Sequence, residues 1–232
     1  MAAPPVLSRQ QAAKIQAALA LAERSDRIYA ADPWLWMTEQ VFTVDEATQQ
    51  QLRWPTDLIY LKELLSVLQT ENLIGIPKSR RMMATWLVSA WAVHAARYNK
   101  HEMIMIQSEN EDKAAYVVEK RCCYIEDNLA DAILRRKYKA IRTQKGSIGR
   151  ITYERTGSPI WGIPQGDDVI RTYTFSKLIM DESEFQTEGN AAFIAALPIA
   201  EKGAKLVVLS SSNGPGGVLA GLCGDVGFVR FE

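Results

Sequence analysis

The stretch Leu73-Ile74-Gly75-Ile76-Pro77-Lys78-Ser79-Arg80-Arg81-Met82-Met83-Ala84-Thr85-Trp86 decides how this chain is read. Leu73 to Ile76 is a short apolar run, the pattern of a buried strand. A loop carrying Lys78, Arg80 and Arg81 follows. From Thr85 to Asn99 the residues are apolar on most faces, as in a buried helix. Strand, basic loop and helix start together form an anion site, because free backbone N–H groups and the helix dipole face one point. Thr85 adds a hydroxyl in the first helical turn, a ligand suited to Mg2+. The phosphate-loop pattern G-x-x-x-x-G-K-[ST] is not met. With Thr85 as its last position, Ala84 stands for the lysine, and Met83 and Lys78 stand for the two glycines. Taken alone, the segment reads more simply as a solvated basic turn before a core helix.

Two further strand ends change that balance. Lys177-Leu178-Ile179-Met180 runs into Asp181-Glu182. At the end of a buried strand, a first carboxylate can hold Mg2+ through water, and a second can orient and deprotonate the water that attacks a nucleoside triphosphate. Two surface acids, with Glu184 completing an acidic loop, are the plainer alternative. Leu206 to Leu209 runs into Ser210-Ser211-Ser212-Asn213-Gly214-Pro215-Gly216-Gly217. Its hydroxyls suit a γ-phosphate sensor, and a polar glycine-rich turn needs no function at all. In a parallel sheet all three strand ends lie on one edge, where such sheets carry their ligands.

The rest of the chain supplies the crossovers. Residues 8 to 31 read as a helix with Ser8 as N-cap, stopped at Asp32-Pro33. A tryptophan-rich stretch with Trp34, Trp36 and Trp54 follows, then a second helix over Thr56 to Gln69. Met103 to Gln107 reads as a strand and Asp112 to Asn128 as a helix. Arg150 to Tyr153 and Ile160 to Ile163 read as paired strands around Thr156-Gly157. Strands separated by helices indicate a parallel α/β sheet. Residues 1 to 52 read as a helical appendage on a core domain spanning 53 to 232.

Composition narrows the class. The chain has 232 residues, with 27 Lys and Arg against 27 Asp and Glu, so any contact with nucleic acid must use a local patch. Arg135, Arg136, Lys137, Lys139, Arg142, Lys145, Arg150 and Arg155 form one such stretch, equally readable as a solvated charged surface. Cys122, Cys123 and Cys223, with His94 and His101, match neither a disulfide framework nor a zinc spacing, and the cysteines read as buried thiols. The apolar run from Thr85 to Ala96 is too short to span a bilayer, and the start of the chain lacks a secretory signal pattern. The expected location is the cytoplasm.

From Trp54 to Gly217 the motifs resemble the ATPase half of a tailed-phage terminase large subunit. Lys78 to Trp86 resembles that family's deviant Walker A loop, with the phosphate lysine at its start. Leu178-Ile179-Met180-Asp181-Glu182 resembles its Walker B segment, and Ser210-Ser211-Ser212 its coupling motif. Met83 departs from the family, which carries a glycine there. The resemblance implies a P-loop NTPase-type fold and Mg2+-dependent ATP hydrolysis. It implies an ATP cradle of Lys78, Ser79, Arg80, Arg81, Met82, Met83, Ala84 and Thr85. Thr85 and Asp181 would hold Mg2+, Glu182 would activate water, and Arg80 would stabilise transition-state charge. Trp54-Pro55 and Tyr60 fall where the family places its adenine-contacting segment. Implied partners are duplex DNA bound without sequence preference, a portal protein, a small terminase subunit and further copies in a ring, in the bacterial host cytoplasm and at the procapsid. The chain stops at Glu232, so the family's nuclease activity is not expected from it, and the ATPase domain reads as truncated. Two other readings stay open: a helicase-like nucleic-acid-dependent ATPase, and a catalytically inactive fragment that serves as a binding or assembly module.

Overall fold

A computed structural model describes residues 8–79, 82–145, 147–213, 217–222 and 229–230. Helix α1 (Arg9–Ala31) begins in a capping box, in which Ser8 and Gln11 satisfy each other's backbone N–H groups. Asp32 ends it and caps α2 (Pro33–Gln40), whose Pro33 occupies the first turn, where its missing N–H costs nothing. The tryptophan-rich stretch is therefore partly helical, which sequence reading left open. A short hairpin, β1 (Phe42–Val44) and β2 (Gln51–Arg53), leads to α3 (Ile59–Thr70). The helix expected from Thr56 starts three residues later and has no side-chain cap.

The central layer follows. β3 (Leu73–Pro77) leads to α4 (Ala84–Tyr98), and β4 (Ile104–Gln107) to α5 (Glu111–Val117). α5 continues through a π-helical turn over Val118–Cys123 into α6 (Tyr124–Asp127), which breaks the regular spacing of the expected 112–128 helix. Next come α7 (Ala132–Lys137), β5 (Ala140–Lys145), β6 (Ser147–Tyr153), β7 (Ser158–Ile163), α8 (Asp168–Thr172) and β8 (Lys177–Asp181). A 3-10 turn over Ser183–Phe185 precedes α9 (Gly189–Ala200), β9 (Lys205–Ser210), α10 (Val218–Leu222) and β10 (Val229–Arg230). One eight-stranded sheet has the order β10-β3-β9-β8-β4-β7-β6-β5. It is parallel from β10 to β7, and β7-β6-β5 form an antiparallel flank.

The sheet separates two cores. Ile76, Ile106, Ile179, Val207 and Leu209 face α3, α4 and the π turn, and the same core holds Trp36, Met37 and Trp54. Met105, Leu178, Met180, Leu206 and Val208 face α9 and α10. Burial on both faces explains why these strands read as unbroken apolar runs. Order β3-β9-β8 sets the ends of three chemistry-bearing strands side by side.

Two polar arrangements run through the first core. Arg97, fully buried, pairs with Glu126 and donates to the Leu134 carbonyl, while Tyr153 donates to Glu126 at 3.0 Å. Asp26 ties α1 to the body: Tyr138 donates to it at 2.7 Å and Lys137 pairs with it at 2.7 Å. Burial raises the Asp26 carboxyl, but Lys137 and Tyr138 outweigh it and hold the group below its ordinary range. Cys122 and Cys123 are buried and unpaired, as expected; Cys223 lies outside the described residues.

Candidate functional site

β3 and β9 are hydrogen-bonded neighbours, and their pairing extends one residue past β3, where the Lys78 N–H donates to the Ser210 carbonyl at 2.9 Å. This contact starts the loop at a fixed point on the sheet edge. The Lys78 ammonium then reaches across β9 to the end of β8. It lies 2.7 Å from Glu182 Oε1, 3.5 Å from Asp181 Oδ1 and 3.3 Å from Thr85 Oγ1. Thr85 Oγ1 lies 3.4 Å from Asp181 Oδ1. Residues far apart in sequence thus share one cluster at the carboxyl edge of the sheet. The third strand end joins it. Glu182 Oε2 accepts from the Ser211 N–H and hydroxyl, both at 3.2 Å, and from the Ser210 hydroxyl at 3.3 Å. Ser212 is exposed and makes no hydrogen bond to Glu182.

The two carboxylates have different environments. Asp181 is buried, and burial pushes its carboxyl up against the pull of Lys78. Burial also acts to raise Glu182, but Lys78 and then Ser211 outweigh it, so Glu182 is held below the usual carboxylate range. Glu182 is the better anion at neutral pH, while Asp181 gains from any further cation. The ammonium of Lys78 stands between two carboxylates and a hydroxyl, as a cation among hard oxygen donors. That donor set fits Mg2+, which takes one or two carboxylates and completes its shell with water and phosphate oxygens. Among the described residues no group of three His, Cys, Asp or Glu side chains could hold a metal by itself.

Both halves of the cluster carry left-handed backbone at a non-glycine residue. Met83 has φ 57° immediately before α4, and Glu182 has φ 51° immediately after β8. Such residues cost on the order of 1 kcal/mol and collect at functional sites. The Met83 value explains why a glycine suits this position: the loop turns there in a conformation that L side chains resist. Ala84 is buried as the first residue of α4. Ser79 is exposed, and its N–H meets the Met82 sulfur at 3.2 Å. Arg80, Arg81 and Gly214 to Gly216 lie outside the described residues.

Sequence reading missed the support around the loop. Tyr60, on the first turn of α3, donates its hydroxyl to the Met82 carbonyl at 3.0 Å and so reaches the loop between β3 and α4. Trp54 is a core residue, 2% exposed. Gln186 donates to the Asp181 carbonyl at 2.9 Å. These hydrogen bonds use backbone acceptors, so no residue spacing signals them.

The basic stretch is less free than its composition suggests. Lys137 pairs with Asp26, Lys139 with Glu154, and Arg142 with Asp127; Arg155 also faces Asp26. Arg150 lies over Trp161 at 5.6 Å. The side chain of Lys145 is outside the described residues. No helix among the described residues is long and apolar enough to cross a membrane.

No family model matches the sequence. Solved structures do resemble the fold. The large terminase of bacteriophage HK97 superposes with a TM-score of 0.61 at 14% identity, over 87% of this chain and 43% of that protein. The large terminase of a thermophilic bacteriophage gives 0.54 at 12% identity, over 76% of this chain and 44% of that protein. That same thermophilic-phage protein in complex with ADP gives 0.50 at 12% identity, over 75% and 42%. The chain spans less than half the length of these proteins. Over that span, it carries the fold of the bacteriophage large terminases.

Proposed function

We propose that this chain is the ATP-hydrolysing motor region of a phage terminase large subunit. The observation that carries this reading is the convergence of Lys78, Thr85, Asp181 and Glu182 at one sheet edge, with Ser210 and Ser211 on Glu182. Lys78 and the amides leading into α4 hold the β- and γ-phosphates. Thr85 and Asp181 would hold Mg2+, which would neutralise charge on the phosphate oxygens. Glu182 turns from Lys78 to the attacking water, orients it in line with the γ-phosphate and takes its proton. While it is paired with Lys78, Glu182 is held below the usual carboxylate range and so stands ionised before it turns. Ser210 and Ser211, which hold Glu182 in the structure, register the change. Arg80 is assigned to transition-state charge on the family resemblance alone.

The wider function follows the same resemblance. The cycle would translocate duplex DNA into a procapsid in the host cytoplasm, within a ring of copies at a portal protein and with a small terminase subunit. The test is Mg2+-dependent ATP hydrolysis by this chain, with and without duplex DNA, beside Glu182→Gln and a nucleotide-binding titration. Hydrolysis lost in the variant supports the motor reading. A wild-type chain that binds no ATP refutes the cradle and leaves an inactive binding module.

A further inference from the structure

Glu184, the next acid after the site pair, makes no hydrogen bond to Lys78, Asp181 or Thr85, yet its N–H, its carbonyl and its Oε1 are all hydrogen-bonded. Its Oε1 accepts the backbone N–H of Leu219 at 2.6 Å and of Ala220 at 3.1 Å, so it closes the first turn of α10 from outside that helix. Its carbonyl accepts from Asn213 Nδ2 at 3.2 Å, and its N–H donates to Ser210 Oγ at 3.2 Å. Gly217 lies against its carboxylate so closely that any side chain there would collide with it. α10 spans Val218–Leu222, too short to hold helical form without such support.

Ser210 joins this clamp to the site. Its buried hydroxyl has one proton and two acceptors in reach: Glu182 Oε2 at 3.3 Å and the Ser211 carbonyl at 3.0 Å. It can serve one at a time. At the far end of the clamp, Leu219 packs on β3, where a Cβ placed on Gly75 would come 3.3 Å from Leu219 Cδ1. Three residues beyond Gly75 stands Lys78. The path is closed: Lys78, Glu182, Ser210, Glu184, Leu219, Gly75 and back to Lys78.

We infer that Glu184 is a positioning residue that carries the state of Glu182 to α10 and β3. The inference rests on the nucleotide reading above. A phosphate at Lys78 competes for the ammonium and frees Glu182 to turn to water. The Ser210 hydroxyl then donates wholly to the Ser211 carbonyl. The turn holding Glu184 is braced at Glu182, whose carbonyl accepts from the Phe185 N–H at 3.0 Å, so the Glu184 carboxylate shifts with it. α10 follows, because the amides of Leu219 and Ala220 are held by that carboxylate. Its Leu219 presses on the strand that delivers Lys78, so the response returns to the site that began it.

The experiment is amide hydrogen exchange on the full chain over residues 217–222, with and without Mg2+ and a slowly hydrolysed ATP analogue. Wild type, Glu184→Ala and Glu184→Gln are compared, and analogue affinity is measured in the same samples. In wild type the analogue changes exchange at Leu219 and Ala220. In Glu184→Ala, exchange there is faster by on the order of tenfold without ligand and no longer responds to it, while analogue affinity stays within about threefold. Glu184→Gln keeps an acceptor oxygen and restores part of the exchange response, which a merely structural loss of the residue would not. A chain that binds the analogue while α10 stays silent overturns the inference. So does a response that survives intact in Glu184→Ala. A wild-type chain that binds no analogue removes the nucleotide reading and this inference with it, a distinct result.

Discussion

Replacing Glu182 with Gln should separate catalysis from binding in opposite directions. On the proposed reading a phosphate at Lys78 competes with Glu182, 2.7 Å away, for the ammonium. Two unit charges about 4 Å apart at an effective dielectric of about 20 attract by about 4 kcal/mol. The Glu182 side chain is 38% exposed against 11% for Lys78, so solvent screening applies to one partner and reduces the net value to about 1 kcal/mol. Asp181 remains beside Lys78, so the ammonium keeps a partner in the variant. Glu182→Gln removes the competing charge and leaves an amide of nearly the same shape. Affinity for Mg·ATP should therefore rise by roughly fivefold, the equivalent of about 1 kcal/mol. Hydrolysis should fall by about 10²–10⁴-fold, the range that a general base supplies. Titration with a fluorescent ATP analogue gives the first number, and single-turnover phosphate release gives the second. Weaker binding in the variant would show that Glu182 supports the ligand rather than competing with it. Unchanged turnover would remove Glu182 from the chemistry.

Other contacts give separate outcomes. Asp26→Asn should cost about 1–3 kcal/mol in urea unfolding at neutral pH, because Lys137 and Tyr138 lose a buried charged acceptor. The Asp26 pKa is depressed in the fold, so its contribution is full above the ordinary Asp pKa and is lost as pH falls through the lower folded value. The gap between wild type and variant should therefore close in acid titrations of stability. Arg97→Met should lower stability by about 3–5 kcal/mol, measured by denaturant melts, because Glu126 is left buried without its cation. Tyr60→Phe removes one hydrogen bond to the Met82 carbonyl and should raise KM for ATP by a few-fold, while the unfolding free energy changes by about 1 kcal/mol or less.

The three strands that build the site were legible because they are buried on both faces. Leu73 to Ile76, Leu178 to Met180 and Leu206 to Leu209 need no alternation, and their apolar runs end where chemistry begins. Arg150 to Tyr153 against Ile160 to Ile163 was legible from the turn between them, and Arg150 does face Trp161. β5 was not: Arg142 and Thr143 follow Ala140-Ile141, and a polar strand at the edge of the sheet gives no periodic signal. α2 was hidden by Pro33 and two tryptophans, which favour helix only once Asp32 caps it. Sequence order brought Lys78, Thr85, Asp181 and Glu182 to one edge. It did not show that Lys78 pairs more closely with Glu182, since either acid could have taken that role. The resemblance pointed to Tyr60, but its hydrogen bond to Met82, like those of Glu184 to α10, was beyond reach, because each acts on a backbone atom distant in sequence.

The position of β3 within the sheet also bears on how the chain is made. Its neighbours are β9 and β10, both formed from residues far downstream, and the Lys78 amide waits for the carbonyl of Ser210. While the polypeptide emerges from a ribosome, the loop after β3 has a following helix but no lateral strand until nearly the whole of the described sequence has been synthesised. Contacts of such separation fold slowly. An arrested or prematurely released chain ending before β8 would hold Lys78 and Thr85 without Asp181, Glu182 or the serines to organise them. Assembly of the cluster at the sheet edge is thus deferred to a late stage of translation, a delay set by strand order alone.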